Sequence, residues 1–190
     1  LIRIATRMSD LAMIQAEHIK RQLQGLYPDM KVEFVKIKTQ GDKILDTSLS
    51  KIGGKGLFIK ELQQAMFDDE ADIAVHCVKD LPYEQTPGLT LAAIGFREDP
   101  RDVFLSRDGT PLMDLKKGAK VGTSSLRRQM QLLRLRPDLD CQMLRGNVPT
   151  RCDKLKRGEY DAIILAAAGL HRLKLDNLIT HYLPVDDFLP

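Results

Sequence analysis

The run Gly122-Thr123-Ser124-Ser125-Leu126-Arg127-Arg128, with Arg145-Gly146-Asn147 and Arg151 a short way on, gathers hydroxyl groups and arginines into one stretch of chain. Small hydrogen-bonding residues ahead of an apolar period mark a strand-to-helix turn, which sets the two adjacent arginines one turn into a helix. Helix starts present unpaired N–H groups and a partial positive charge, so they suit anions. Guanidinium groups add forked donors that match carboxylate or phosphate oxygens in pairs. The chemistry on offer is the holding of a small polyanion. Surface ion pairs, the usual fate of helix arginines, are the alternative.

Val75-His76-Cys77-Val78-Lys79-Asp80-Leu81-Pro82 leaves an apolar strand and at once presents a cation beside a carboxylate. An Asp so placed can stabilise a developing cation, accept N–H donors or relay a proton. The alternative is an Asp that caps the turn before Pro82. Gly53-Gly54-Lys55-Gly56 lacks the full phosphate-loop pattern, because Gly56 stands where Ser or Thr should hold magnesium. It reads as a flexible lid carrying Lys51 and Lys55, or as a solvated basic loop. His76 and Cys77 are neighbours on a strand and point to opposite faces, so they read as a structural histidine and a packed or cleft-facing thiol. His18, His171 and His181 have no ligand spacing, and no metal is expected. Arg134, Arg136, Lys154, Lys156 and Arg157 read as solvated helix faces.

These groups need a scaffold, and 190 residues suffice for one large domain or two small ones. The net charge is only +3, from 29 basic and 26 acidic residues, which argues against a nucleic-acid partner. Cys77, Cys141 and Cys152 are odd in number and lack metal spacing, so reduced thiols in a cytoplasmic protein are expected. No apolar run approaches the ~18 residues of a membrane span. Leu1-Ile2-Arg3-Ile4-Ala5 reads as a strand and not as a signal peptide. A start without Met and an end at Leu189-Pro190 suggest truncation at both ends.

Strands are expected at 2–6, 32–37, 72–76 and 89–95, with helices at 10–25, capped by Ser9, and at 57–68. The stretch 39–56 reads as a long mobile loop. This β-α-β-α-β order predicts an α/β unit with a mainly parallel sheet. After Arg97-Glu98-Asp99-Pro100-Arg101-Asp102 the pattern restarts, with strands at 102–105, 119–122, 140–144 and 161–165 and helices at 125–135, 149–157 and 166–172. Two α/β domains, 1–96 and 97–190, are the economical reading. Ligands of open α/β sheets bind beyond the carboxyl ends of strands. Arg7 with Ser9, Lys79 with Asp80, and Thr123 to Arg128 all follow such strands, and are expected to converge on a cleft between the domains.

Seven ordered blocks then carry a family resemblance: Arg3 to Arg7 with Ser9, Gly53 to Phe58, His76 with Lys79 to Pro82, Arg97 to Asp102, Gly122 to Arg128, Arg145 to Val148 with Thr150-Arg151, and Tyr160 to Ala166 with Gly169-Leu170. On these the chain resembles the porphobilinogen deaminase (hydroxymethylbilane synthase) family across its whole length. The resemblance implies a fold like the type II periplasmic binding proteins, with two α/β domains around a cleft and a third, C-terminal domain absent from this chain. It implies a monomeric, cytoplasmic transferase that condenses four porphobilinogen molecules head to tail, with loss of ammonia, into the linear tetrapyrrole hydroxymethylbilane. It implies a covalent dipyrromethane cofactor, whose cysteine is none of Cys77, Cys141 and Cys152, and no nucleic-acid or membrane partner.

Residue by residue, the resemblance makes Asp80 catalytic. It assigns the cofactor to Ser9, Lys79, Asp80, Thr123, Ser124, Ser125, Arg127, Arg128, Arg145 and Gly146. Substrate falls to Arg7, Ser9, Arg145 and Arg151, and the active-site loop to Lys55 and Phe58. Cys77 stands where the family commonly has Ser, and Met8 and Asp10 replace the more usual Lys and Pro. Domain 1 would lack its returning segment, and a chain of only this length is expected to be inactive. A non-catalytic binding module for a small polycarboxylate is the competing reading.

Overall fold

The computed structural model describes residues 1–43, 56 and 58–190. The chain forms two compact units, Leu1–Phe96 and Arg97–Pro190. Both are α/β.

In the first unit Ile2–Arg7 (β1) is the middle strand, flanked in parallel by Val32–Ile37 (β2) and Ile73–Ala74 (β3). Strand residues alternate faces, and β1 uses both. Ile4 packs with Ala16 of helix Asp10–Leu26 (α1), whereas Ala5 packs with Leu62 and Ala65 of helix Lys60–Phe67 (α3). A single helical turn, Gln40–Lys43 (α2), follows β2. Arg3 ties β1 to the turn beyond α3 through Asp69 and Asp72, its Nη2 lying 2.7 Å from Asp72. Ser9 does occupy the entry to α1 with extended backbone, but its hydroxyl makes no capping bond.

The second unit holds a five-stranded sheet in the order β6-β5-β7-β4-β8. Lys120–Gly122 (β5), Asp140–Gln142 (β6) and Ala162–Ala166 (β7) are parallel, while Asp102–Ser106 (β4) runs antiparallel to β7 and to His181–Tyr182 (β8). One face carries Phe104, Val121, Ile164 and Phe188 against Leu132 of helix Leu126–Leu135 (α4). The other carries Val103, Leu105, Ile163 and Leu165 against Leu155 of Val148–Lys156 (α5) and Leu170 of Ala167–Leu173 (α6). The central strands β4 and β7 are apolar on both faces, the pattern of a sheet covered by helices on two sides.

Several expectations are corrected. No strand forms at 89–95, where Leu91, Ile94 and Phe96 lie exposed, because no described strand offers that segment a ladder. The expected strands at 72–76 and 140–144 shorten to two and three residues, and the helix expected from 57 begins at Lys60. The second sheet is mixed, since β4 is reversed. Arg136 is no solvated residue: its five N–H groups reach Asp138 and the carbonyls of Leu112, Met113 and Leu115 at 2.7–2.9 Å. Of the stretch 39–56, only 39–43 and 56 are described.

Candidate functional site

The carboxyl ends of β5 and β6, neighbouring strands in register at Gly122 and Gln142, deliver the arginine-rich segments side by side. The Thr123 N–H donates to the Gln142 carbonyl at 2.9 Å, and the Ser124 hydroxyl donates to the Leu144 carbonyl at 2.7 Å. The turn after β5 is thereby sewn to the chain after β6. Ser125 caps α4 by accepting the Arg128 N–H at 3.4 Å. Asn147 caps α5 by accepting the Thr150 N–H at 2.9 Å, with Pro149 fitting the first turn. Gly146 has φ +113°, and a Cβ there would lie 2.8 Å from the Thr150 methyl group, so only glycine enters α5 this way.

Within this frame stand Arg127, Arg128, Arg145 and Arg151. Because β4 is antiparallel, its first residue, Asp102, pairs with Ala166 and falls at the same sheet edge as the carboxyl ends of the parallel strands. Asp102 is 1% exposed. Its Oδ2 meets Arg127 Nη2 and its Oδ1 meets Arg128 Nη2, each at 2.7 Å. Arg128 also donates to the Ile164 carbonyl at 3.3 Å, while its buried Nε has no hydrogen bond among the described residues. Arg145 is 8% exposed, and burial lowers its pKa. Arg151 donates Nε–H to the Gly146 carbonyl at 2.8 Å and has no carboxylate partner among the described residues. Burial, reinforced by the charges of Arg128 and Arg145, brings its pKa down to about 10. Arg151 therefore stays charged near neutrality, but in a place short of negative charge.

The first unit arranges its groups along the carboxyl edge of its own sheet. Arg7, at the end of β1, pairs with Asp42 and lies 4.1 Å over the Phe58 ring. Asp42 is held in turn by the Thr39 hydroxyl at 2.8 Å. Burial pushes the Asp42 carboxyl up, yet the bonds from Arg7 and Thr39 outweigh it and hold the pKa below its ordinary value. Beyond β3, Val78–Asp80 forms a single 3-10 turn that leaves Lys79 and Asp80 exposed. The Asp80 carboxylate accepts no hydrogen bond from a described residue, so it does not cap that turn. His76 lies within electrostatic reach of Asp80 and Arg7, and its pKa is lowered chiefly by burial. Cys77 Sγ accepts from Gln15 Nε2 at 3.0 Å. Lys55 lies outside the described residues.

The structure thus joins Thr123, Ser124, Ser125, Arg127, Arg128, Arg145, Gly146 and Arg151 in one unit, and Arg7 with Phe58 in the other. The sequence reading missed Asp102 and Asp42, the carboxylates that hold these arginines. A polar residue opening an apolar strand was the available signal for Asp102, but its meaning depends on the strand's direction.

The two units have a mixed α/β fold of the type II periplasmic-binding kind, with arginines at the strand ends of the second. Two solved structures share that fold at a TM-score of 0.50: the methionine-binding protein MetQ, at 14% identity over 96% of this chain and 78% of its own, and the Bordetella pertussis BvgS VFT2 domain, at 15% identity over 96% and 75%. Residues 2–190 match the family described as porphobilinogen deaminase, dipyromethane cofactor binding domain, and the chain belongs to that family. It is 56% identical over 189 residues to a porphobilinogen deaminase of Geobacter sulfurreducens, covering all of this chain and 59% of that relative's length.

Proposed function

We propose that the protein containing this chain is a cytoplasmic, monomeric transferase that condenses four porphobilinogen molecules, with release of ammonia, into hydroxymethylbilane. The observation that carries the reading is Arg151, a half-buried cation held by a carbonyl and close to further arginines. Such a group seeks an anion that the described residues do not supply. Each porphobilinogen unit brings an acetate and a propionate, so a growing chain adds two carboxylates per ring.

The donor set fits the family's dipyrromethane, which is built from two such units and bears four carboxylates. Arg127, Arg128, Arg145, Ser124 and Ser125 would hold it, together with Ser9, Lys79, Asp80, Thr123 and Gly146. When bound, the dipyrromethane supplies the primer that is extended. Arg7, Ser9, Arg145 and Arg151 would orient the acidic side chains of incoming substrate. Asp80 is the catalytic group of this reading: its carboxylate, uncommitted among the described residues, accepts pyrrole N–H donors and stabilises positive charge as ammonia departs. Fixed charges do this best where water is excluded. Lys55 and Phe58 would belong to the loop that does the excluding.

We take residues 1–96 and 97–190 as the family's first two domains, the first lacking its returning segment. Incubation of the protein, expressed from the full reading frame that encodes these residues, with porphobilinogen tests the reading. Ammonia release with formation of a linear tetrapyrrole is the expected result. Tight polycarboxylate binding with no consumption of porphobilinogen would instead favour a non-catalytic binding module.

A further inference from the structure

Arg127 and Arg128 are consecutive on a helix, so their side chains leave the axis about 100° apart. Nothing in helix geometry brings two such guanidiniums to one point, and their like charges oppose it. Asp102 does bring them together, one oxygen to each, at 2.7 Å. Its own backbone is fixed on both sides: β4 pairs Asp102 with Ala166, and the Asp102 carbonyl accepts the Leu183 N–H at 2.9 Å. A carboxylate buried to this degree is a poor device for stability, since an apolar residue of similar size commonly does as well. It is a good device for specifying geometry.

We propose that Asp102 is a positioning residue for anion binding, fixing the Arg127–Arg128 pair so that both guanidiniums act on one polycarboxylate. This rests on the anion-holding role of those arginines given above. Asp102 touches no ligand in this scheme. It sets where the two charges stand, and it removes one unit of positive charge from a crowded group, leaving the ligand to balance the rest. Arg151, which has no such carboxylate among the described residues, is a cation left for the ligand.

The test uses the full-length protein, with calorimetric titration against 1,2,3,4-butanetetracarboxylate and the arginine side-chain 15N spectrum. Wild-type protein should show separate, slowly exchanging Nη resonances for Arg127 and Arg128 that persist when the tetracarboxylate is bound. Asp102→Asn keeps one acceptor oxygen and turns an amide donor toward the other guanidinium. It should weaken binding about tenfold or more, as loss of one charge-assisted contact does, with the number of sites unchanged. A carboxylate with only a structural role would lower the number of sites and leave the affinity of the remainder intact, and that result overturns the proposal. Unchanged or tighter binding overturns it as well. If Asp102→Asn does not fold, the wild-type spectrum decides: averaged Nη signals for either arginine in the bound protein refute the positioning role. Porphobilinogen consumption by the wild type is measured alongside. Its absence, with the Asp102 effect intact, removes the catalytic reading and leaves this one standing. Normal consumption with no Asp102 effect removes this one alone.

Discussion

Arg151 closes the first turn of α5 by donating its Nε–H to the Gly146 carbonyl at 2.8 Å, leaving its outer donors uncommitted among the described residues. The same surroundings that bring this arginine down to about 10 would act on a lysine. A lysine there would be pushed below its ordinary ~10.4 by the same burial and like charges. Arg151→Lys is therefore expected to bind polycarboxylates with an affinity that falls as pH rises from about 7 to 9, where an unperturbed lysine would stay charged. The wild type should stay flat across that range. Parallel calorimetric titrations at several pH values check the contrast.

Asp80 is exposed and makes no hydrogen bond to a described residue, so its removal should cost almost no stability. Asp80→Ala is expected to lower porphobilinogen turnover by at least about a hundredfold, with its melting temperature unchanged. Asp80→Glu keeps the charge and should retain more activity. Near-normal tetrapyrrole formation by the alanine variant would end the catalytic assignment.

Gly146→Ala adds a methyl group where φ is +113° and Thr150 stands in the way. A loss of about 1–3 kcal/mol is expected from backbone strain alone. Because Gly146 also holds Arg151, polycarboxylate affinity should fall together with stability. Urea denaturation and ligand titration of the same sample separate the two effects.

His76 and His181 both have pKa values below the ordinary 6.5 because burial disfavours their charged forms. The unfolded chain then binds more protons than the folded one just below pH 6.5. Their contribution to stability is full above that value and is lost as pH falls through it. Asp42, held below its ordinary 3.8, adds a second loss at still lower pH. The urea midpoint should thus decline from about pH 7.5 to 5.5, and His181→Gln should make that decline shallower whatever it does to the midpoint itself.

Much of this was legible in the sequence, for identifiable reasons. The strands of both sheets announce themselves because Ile4 and Ala5, or Ile163 and Ile164, must face opposite apolar layers. The arginine segment was readable because caps and turns are local chemistry, and Ser125 and Asn147 do cap α4 and α5. What escaped was non-local. The reversal of β4 depends on which neighbours it pairs with, and without that reversal Asp102 has no reason to meet Arg127. Arg136 looked like any basic residue at a helix end, because its three carbonyl acceptors lie more than twenty residues earlier. The segment 89–95 has the composition of a strand, but a strand exists only with a partner.

The clamp at Arg136 also bears on the chain's motions. Pro111 to Leu115 holds a single 3-10 turn, Leu112–Asp114, and buries Leu112 and Leu115 in the core. With three of its carbonyls bound by one guanidinium next to the end of α4, it cannot open without breaking those bonds. Loop and helix should accordingly exchange their amide hydrogens as one cooperative unit. The stretch between β4 and β5 then carries the protection of the neighbouring α-helix although its own helical structure is one 3-10 turn.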